Sequence, residues 1–370
     1  MRYVFISYNY SPDFDNPEAW FTRNKSYAGV MDELSKMHEV INIKQINYEG
    51  ISIHNNIAYH FVNFSKNKFH FNYRLNRYVA TLKPDIIILH GLHQPVQLIQ
   101  LGLMLGSRTK IIVQNHAEKP FPSGIKKKLQ RLADRYADAY LFASRDMGLE
   151  WVTAGNLSSP EKIHEVMEIS SIFYPVKRKN ALAKTGISGS PVFLWVGRLN
   201  ENKDPLNVVR AFLKFSLLSP GAKLYMIYHT EELLSEIKTL LDAFPNKDVI
   251  KLIGHVPHAD LLNWFNSADF ILSGSHYEGS GTAICEAMSC GCVPLVTDIL
   301  SFRMITNGGK CGMLYEPGNE QALFNVLIQT AQMNIEEKRR LSLAYYKTNL
   351  SFEAIAKQIN QIAERLTVTQ

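Results

Sequence analysis

A chain of 370 residues, 46% hydrophobic and 20% charged with 21 Gly and 15 Pro, holds enough apolar mass for about two cored domains, and it excludes collagenous, low-complexity and largely disordered classes. The formal net charge of +6, from 40 basic and 34 acidic residues, is spread along both halves and excludes a dedicated nucleic-acid binder. The opening residues lack the basic start, longer apolar core and cleavage site of a secretory signal. The cysteines Cys285, Cys290, Cys292 and Cys311 are irregularly spaced, so reduced thiols in a cytoplasmic protein are expected.

Short β-rich runs alternate with helical patterns from the start. In the first half the expected strands are 2–7, 40–46, 85–90, 110–115 and 138–143, with helices over 27–37, 96–105 and 125–136 between them. Strands spaced by helices of this length imply βαβ units and a parallel sheet. The longest stretch without Asp, Glu, Lys or Arg, 86–107, is interrupted by His90, His93, Gln94, Pro95, Gln97 and Gln100. It therefore reads as strand, loop and buried helix rather than a membrane span.

Residues 50–84 contain no Asp or Glu, but interleave Lys66, Lys68, Arg74, Arg77 and Lys83 with Tyr59, Phe61, Phe64, Phe69, Phe71, Tyr73 and Tyr78. Such a segment is either a solvated basic helix over an aromatic core or a face for anionic lipid or an acidic acceptor. Lys126, Lys127 and Lys128 open a further helical pattern and suit peripheral contact with the inner face of a membrane.

The apolar period breaks at 174–190, where basic, Gly, Ser and Pro residues gather, and this stretch reads as an interdomain linker after a first domain over 1–173. The pattern restarts in a second domain over 191–350. Its expected strands are 192–196, 223–228, 249–253, 269–273 and 293–297, with helices over 205–218, 231–243, 259–266 and 282–290. The whole reads as an α/β protein of two doubly wound, Rossmann-like domains facing across a cleft, whose ligands bind beyond the carboxyl ends of the strands.

Two segments concentrate charge and glycine at such strand ends. In "ADFILSGSHYEGSGTAICEAMSCGCVPLVT" the loop Glu278, Gly279, Ser280, Gly281, Thr282 delivers the chain to a helix N-terminus, where free N–H groups and the helix dipole favour a phosphate. Glu278 and Glu286, eight residues apart, are carboxylates suited to sugar hydroxyls. In "VFLWVGRLNENKDPLNVVRAF" Gly197 permits a tight turn, and Arg198 and Lys203 precede a helix with Asp204 as N-cap and Pro205 at its first position. Two cations there can neutralise a diphosphate without a metal, Arg by a fork and Lys as a point charge.

Together with "LIGHVPHADLLNWFNSADF" and "GGKCGMLYEPGNEQAL", these segments resemble the retaining B-fold glycosyltransferases of group 1, also called family 4. The stretch "YYKTNLSFEAIAKQINQIAERL" is similar to the family's final helix, and implies a helix over about 351–368 that returns to the amino-terminal domain. The resemblance implies the GT-B fold and transfer of a sugar from a UDP- or GDP-linked donor to a saccharide or lipid-linked acceptor, with configuration retained. It further implies no cofactor and no divalent metal, in the synthesis of cell-surface polysaccharide or glycoconjugate. By position Arg198 and Lys203 would hold the diphosphate, Glu278 the sugar hydroxyls, Gly279 to Thr282 the phosphate and sugar through backbone amides, and Glu286 the ribose. His116, in "IIVQNHAEKP", would reach the donor sugar from the amino-terminal domain. A same-fold epimerase or glycosyl phosphorylase, and a non-catalytic sugar-nucleotide-binding subunit, are the alternatives.

The sequence departs from the family in "SYNYSPDFDNPEAWFTRNKSYAG", which replaces the Gly-Gly turn many members carry after the first strand, and in Arg303, where a Gly and a Glu are usual. His90 and His93 are candidates for the acceptor side, whereas Asp13 and Asp15 are poor candidates for a metal pair because no single nucleotide domain surrounds them.

Overall fold

The computed structural model describes residues 1–24, 28–64 and 72–368. The chain divides into two compact units, Met1–Ser170 with Phe352–Gln370, and Ser171–Ser351.

Among the described residues the first unit carries an eight-stranded sheet of β1 (Arg2–Ser11), β2 (Glu39–Ile46), β3 (Gly50–His54), β4 (Ile57–Val62), β5 (Ile86–His90), β6 (Lys110–Gln114), β7 (Ala139–Phe142) and β8 (Ile163–Glu165), in the order β3-β4-β2-β1-β5-β6-β7-β8. Every pairing is parallel except β3 with β4. The central strands are near-continuous apolar runs because helices cover both faces: Ile86, Ile87, Ile88 and Leu89 are all 1% exposed or less. As expected, 86–107 resolves into β5, a loop and the helix Pro95–Leu105. No helix among the described residues is long and apolar enough to cross a membrane.

Of the two readings of 50–84, the described part matches a solvated basic helix over an aromatic core, and the aromatic residues of the β3–β4 hairpin belong to that core. Asn55 and Asn56, with φ of 50° and 62°, form its two-residue turn, a conformation Asn tolerates and one that matches the strand twist. Tyr59 and Phe61 are 0% and 2% exposed and pack against Trp20 and Phe21 of the helix Pro17–Asn24, so they are core and not surface. Arg74 and Arg77 are exposed on the helix Tyr73–Thr81. Lys66, Lys68, Phe69 and Phe71 lie outside the described residues. The helix expected over 27–37 is shorter, Gly29–Ser35, and Tyr27 also lies outside them.

The final helix, Phe352–Val368, belongs to this first unit as expected. The Tyr3 hydroxyl donates to Asn360 Oδ1 at 2.8 Å, and Phe352 sits over Gly29, where a Cβ would come within 2.4 Å of the ring.

The second unit holds β9 (Val192–Gly197), β10 (Lys223–Tyr228), β11 (Ile250–Gly254), β12 (Phe270–Ser273), β13 (Val293–Thr297) and β14 (Met313–Tyr315), all parallel, in the order β11-β10-β9-β12-β13-β14. This is the doubly wound order, with the direction of winding reversing between β9 and β12. Phe193 stacks on Phe270 at 5.0 Å and meets Phe212 and Phe215 edge-on, which ties β9 and β12 to the helix Pro205–Ser216.

The stretch 174–190, expected as a linker, is instead part of this unit and contains the helix Arg178–Thr185. Arg178 forks onto Asp269 with N–O distances of 2.6 and 3.1 Å, and the Val176 N–H donates to Asn266 Oδ1 at 2.7 Å. The helix buries only Ala181, which is why its polar sequence looks like a loop.

Candidate functional site

Because the chain winds in opposite directions from β9 and β12, their carboxyl ends open into a crevice that neighbouring connections do not cover. Two loops line it, 198–204 and 274–281, and they are stitched together. Asn202 Nδ2 donates to the Tyr277 carbonyl at 3.0 Å, the His276 N–H donates to the Asn202 carbonyl at 2.8 Å, and His276 Nε2 lies 3.3 Å from Asp204 Oδ2. A Cβ on Gly274 would stand 3.1 Å from the Asp204 carbonyl oxygen and 3.2 Å from that of Lys203, so a glycine lets the loops approach.

Asp204, in the left-handed region with φ of 44°, accepts from the Asn207 N–H at 3.4 Å and caps the helix Pro205–Ser216. The preceding Lys203, whose own N–H donates to Asn200 Oδ1 at 3.1 Å, is thereby aimed across the crevice, where its ammonium pairs with Glu278 Oε1. The same carboxylate oxygen accepts from Ser275 Oγ at 2.7 Å. Ser275 is fixed in turn by its carbonyl, which accepts from Thr297 Oγ1 at 2.6 Å. Arg198 is exposed and makes no ion pair among the described residues.

After Glu278 the chain passes Gly279 and Ser280, both partly exposed, and enters the helix Thr282–Ser289 at Gly281. Gly281 has φ of 56° and is packed under Phe302, which a Cβ would meet at 2.7 Å. No side chain caps this helix, so its first N–H groups and the positive end of its dipole face the crevice beside the exposed Thr282. Glu286, 4% exposed, lies on the next turn with Oε1 2.6 Å from His258 Nε2. That hydrogen bond raises the His258 pKa above the ordinary imidazole value, against the opposing effect of burial. His258 leans on Phe173, with ring centroids 5.0 Å apart.

Thus Arg198, Lys203, Glu278, Gly279, Ser280, Gly281, Thr282 and Glu286 are gathered at one sheet edge of the second unit. His116 belongs to the first unit, just past β6. Its Nδ1 meets Glu168 Oε1, its Nε2 lies 2.9 Å from His90 Nδ1, and its N–H donates to Glu118 Oε2 at 2.6 Å. Burial opposes a charge on His116, but Glu168 outweighs it and raises the pKa. Burial, then His116 and Lys44, hold His90 well below its ordinary value. When protonated, His116 donates to Glu168 through Nδ1 and to His90 through Nε2. His93 is turned away, stacked on Phe121 at 4.5 Å with Nε2 2.8 Å from the Lys119 carbonyl. Asp13 and Asp15 are exposed in the turn after β1, and Arg303 forks onto Asp298 at 2.5 and 3.0 Å.

Sequence reasoning overlooked Ser275, His258, Glu168 and Glu118, each of which holds a candidate residue in place. Ser275 and His258 lie within motif segments, but nothing in their spacing signals a partner. Glu168 is 52 residues from His116, and only the sheet order joins them.

Residues 177–349 match the family model described as "Glycosyl transferases group 1". Among curated proteins, the D-inositol 3-phosphate glycosyltransferase of Arthrobacter sp. (strain FB24) is 25% identical over 152 residues, covering 40% of this chain and 36% of that protein. The matched stretches span only 36 to 42% of the length of such relatives. Among solved structures, a glycosyltransferase from Rickettsia africae ESF-5 superposes with a TM-score of 0.74 at 15% identity, covering 100% of this chain and 99% of that one. Anabaena Alr3699/HepE in complex with UDP superposes with a TM-score of 0.72 at 14% identity, covering 99% and 100%. These likenesses span the chain and show its fold, the two Rossmann-like α/β domains of GT-B.

Proposed function

We propose that this chain, whose residues 177–349 belong to the group 1 glycosyl transferases, moves a sugar from a UDP- or GDP-linked donor to a saccharide or lipid-linked acceptor, with retention of configuration and without a divalent metal. The observation that carries this reading is the Lys203–Glu278 pair standing beside the uncapped helix N-terminus at the crevice of the second sheet. Cleavage of a nucleotide sugar builds negative charge on the departing diphosphate, and transition-state stabilisation means placing positive charge where it develops. Lys203, Arg198 and the first N–H groups of the helix Thr282–Ser289 supply it.

When the diphosphate takes Lys203, Glu278 is released to accept hydrogen bonds from the sugar, and it stays oriented by Ser275. Glu286 accepts from the ribose hydroxyls. His116, when protonated, is the donor offered to the sugar from the first unit, in place of its bond to His90. Retention follows a front-face route in which the leaving phosphate takes the acceptor's proton. UDP in the Anabaena structure supports a nucleoside diphosphate donor. A lipid-linked acceptor at a membrane surface is supported by Ile125, 74% exposed, beside exposed Lys126 and Lys128 on the helix Gly124–Ala133. The expected setting is cytoplasmic synthesis of a surface polysaccharide or glycoconjugate.

The test is a screen of UDP- and GDP-sugars with purified protein and EDTA, scored by hydrolysis to free nucleotide and by thermal shift. Turnover of one donor that is lost in Glu278→Ala and in Lys203→Ala is expected. Loss of all turnover and binding with EDTA, restored by a divalent cation, would overturn the metal-independent reading.

A further inference from the structure

Among the described residues Lys44 is an ammonium without a counterion. It lies near the carboxyl end of β2, one residue past Ile43, which pairs with Ile6 of β1, and it makes no ion pair or hydrogen bond among the described residues. Residues 25–27 and 65–71 contain no Asp or Glu. Its nearest compensation is the face of Trp20, 5.6 Å from Nζ to the ring centroid. Burial pushes its pKa down to about 8. The Lys44 side chain is half-buried, and a charge drawn partly out of water with no partner is costly, so folded proteins retain one chiefly where something else supplies the opposite charge.

The sheet register places that ammonium on a definite surface. Asn42 of β2, Phe5 of β1 and Ile88 of β5 pair side by side, so they share one face; Lys44 and His90 lie two residues further along β2 and β5 and keep that face, while β1 shifts its register against β2 between Ile6 and Tyr10. Lys44 and His90 are therefore separated by one strand, roughly 10 Å at the usual spacing, with His116 bonded to His90. The reversal of winding in this sheet falls between β1 and β5, so Lys44 and His90 stand towards the strand ends beside it, where a ligand of the first unit would bind.

We propose that Lys44 binds a phosphate group carried by the acceptor, at the carboxyl edge of the first sheet on the side shared with His90. This deepens the glycosyltransferase reading and rests on it. The acceptor is accordingly anionic, either a soluble phosphosugar or a lipid phosphate, and a neutral saccharide leaves the ammonium uncompensated.

The experiment is isothermal titration of the full chain with inorganic phosphate, in the presence of saturating UDP or GDP to fill the second unit. Wild type is expected to bind phosphate and Lys44→Met to bind it at least tenfold more weakly, with nucleotide affinity changed less than twofold. Lys203→Met is expected to do the reverse. A variant-free measurement accompanies it: after reductive ¹³C-methylation, phosphate moves one lysine methyl signal that titrates near pH 8. No phosphate binding by wild type, equal binding by Lys44→Met, or loss of nucleotide in parallel with phosphate would each overturn the assignment. Failure of nucleotide binding in wild type would instead sink the glycosyltransferase reading. Glucose 6-phosphate competing with phosphate assigns a soluble source, and phosphatidylcholine vesicles doped with undecaprenyl phosphate competing assign a lipid source; competition by neither overturns the acceptor role.

Discussion

His258 Nε2 lies 2.6 Å from Glu286 Oε1, and a carboxylate only 4% exposed is thereby spared from being an unpaired buried charge. Any ligand hydroxyl that uses Glu286 must share it with this imidazole, so His258 sets the carboxylate's orientation and the pH range over which it is held. Truncation to His258→Ala leaves the carboxylate without its donor, and a loss of about 1–3 kcal/mol is expected in urea unfolding.

The sign of the pH effect follows from the raised pKa of His258. A folded-state pKa above the unfolded value gives stability that is fully present below about pH 6.5 and is lost as pH rises through the folded pKa. Wild type should lose stability across that window while His258→Gln stays flat. With the His258 side chain 46% exposed, solvent screening keeps the difference to about 1 kcal/mol or less. Parallel profiles for the two proteins would remove the pair from the account.

Lys203 and Glu278 neutralise each other while the donor is absent, so their roles separate only when it binds. Lys203→Met removes the cation that faces the diphosphate and should weaken nucleotide diphosphate binding by roughly 10- to 100-fold, the scale of one hydrogen bond to a charged group. Glu278→Gln frees Lys203 from its counterion, so UDP or GDP alone should bind as tightly as in wild type or more tightly, whereas turnover of the nucleotide sugar falls. Calorimetry with nucleotide and with nucleotide sugar distinguishes the two. Equal weakening of nucleotide by both variants would mean that the pair acts only as structure.

The alternation of strands and helices was legible because buried parallel strands must be apolar on both faces, as in "VFLWV" of β9 and "IIIL" of β5. The crevice of the second unit was legible for a related reason. Its charges sit within a few residues of strand ends, where the order of elements alone puts them at one edge. What the sequence hid depends on partners far along the chain. The aromatic residues of the β3–β4 hairpin could stand on a surface or in a core until Tyr59 and Phe61 are seen packed under Trp20. The helix Arg178–Thr185 looks like a linker until Asp269 is seen gripping Arg178. Glu168, which favours the protonated form of His116, and His258, which holds Glu286, are identified by three-dimensional proximity alone.

Gly281 is required twice over, by a φ of 56° and by Phe302 at 2.7 Å from where a Cβ would stand. Gly281→Ala must shift the first turn of the helix Thr282–Ser289, tilting the N–H groups that face the crevice. A destabilisation of about 1–3 kcal/mol is expected from the strained backbone, together with a loss of nucleotide affinity. Gly186 is the control: it too has a positive φ, 66°, but nothing within 4 Å of a Cβ, and it closes the helix Arg178–Thr185, outside the loops 198–204 and 274–281. Gly186→Ala should lower stability and leave nucleotide affinity unchanged. Equal nucleotide losses in both variants would detach Gly281 from ligand binding.

Lys44 makes the opposite pH prediction from His258. Its folded pKa, about 8, is depressed below the ordinary lysine value of 10.5 because burial disfavours the charged form. Between those values the unfolded chain binds more protons than the folded one, so stability rises with pH. The cost of the desolvated ammonium is therefore fully present below about pH 8 and is relieved as pH climbs toward the unfolded value. Lys44→Met removes that cost at every pH and replaces the stem with an apolar chain of similar length against Trp20. At pH 7 the variant should be more stable than wild type by on the order of 1–3 kcal/mol, and the gap should close as pH approaches 10. Phosphate should close it as well at pH 7, by supplying the missing counterion to wild type alone. A variant less stable than wild type at pH 7, with no response to phosphate, would show that the ammonium is already compensated within the fold.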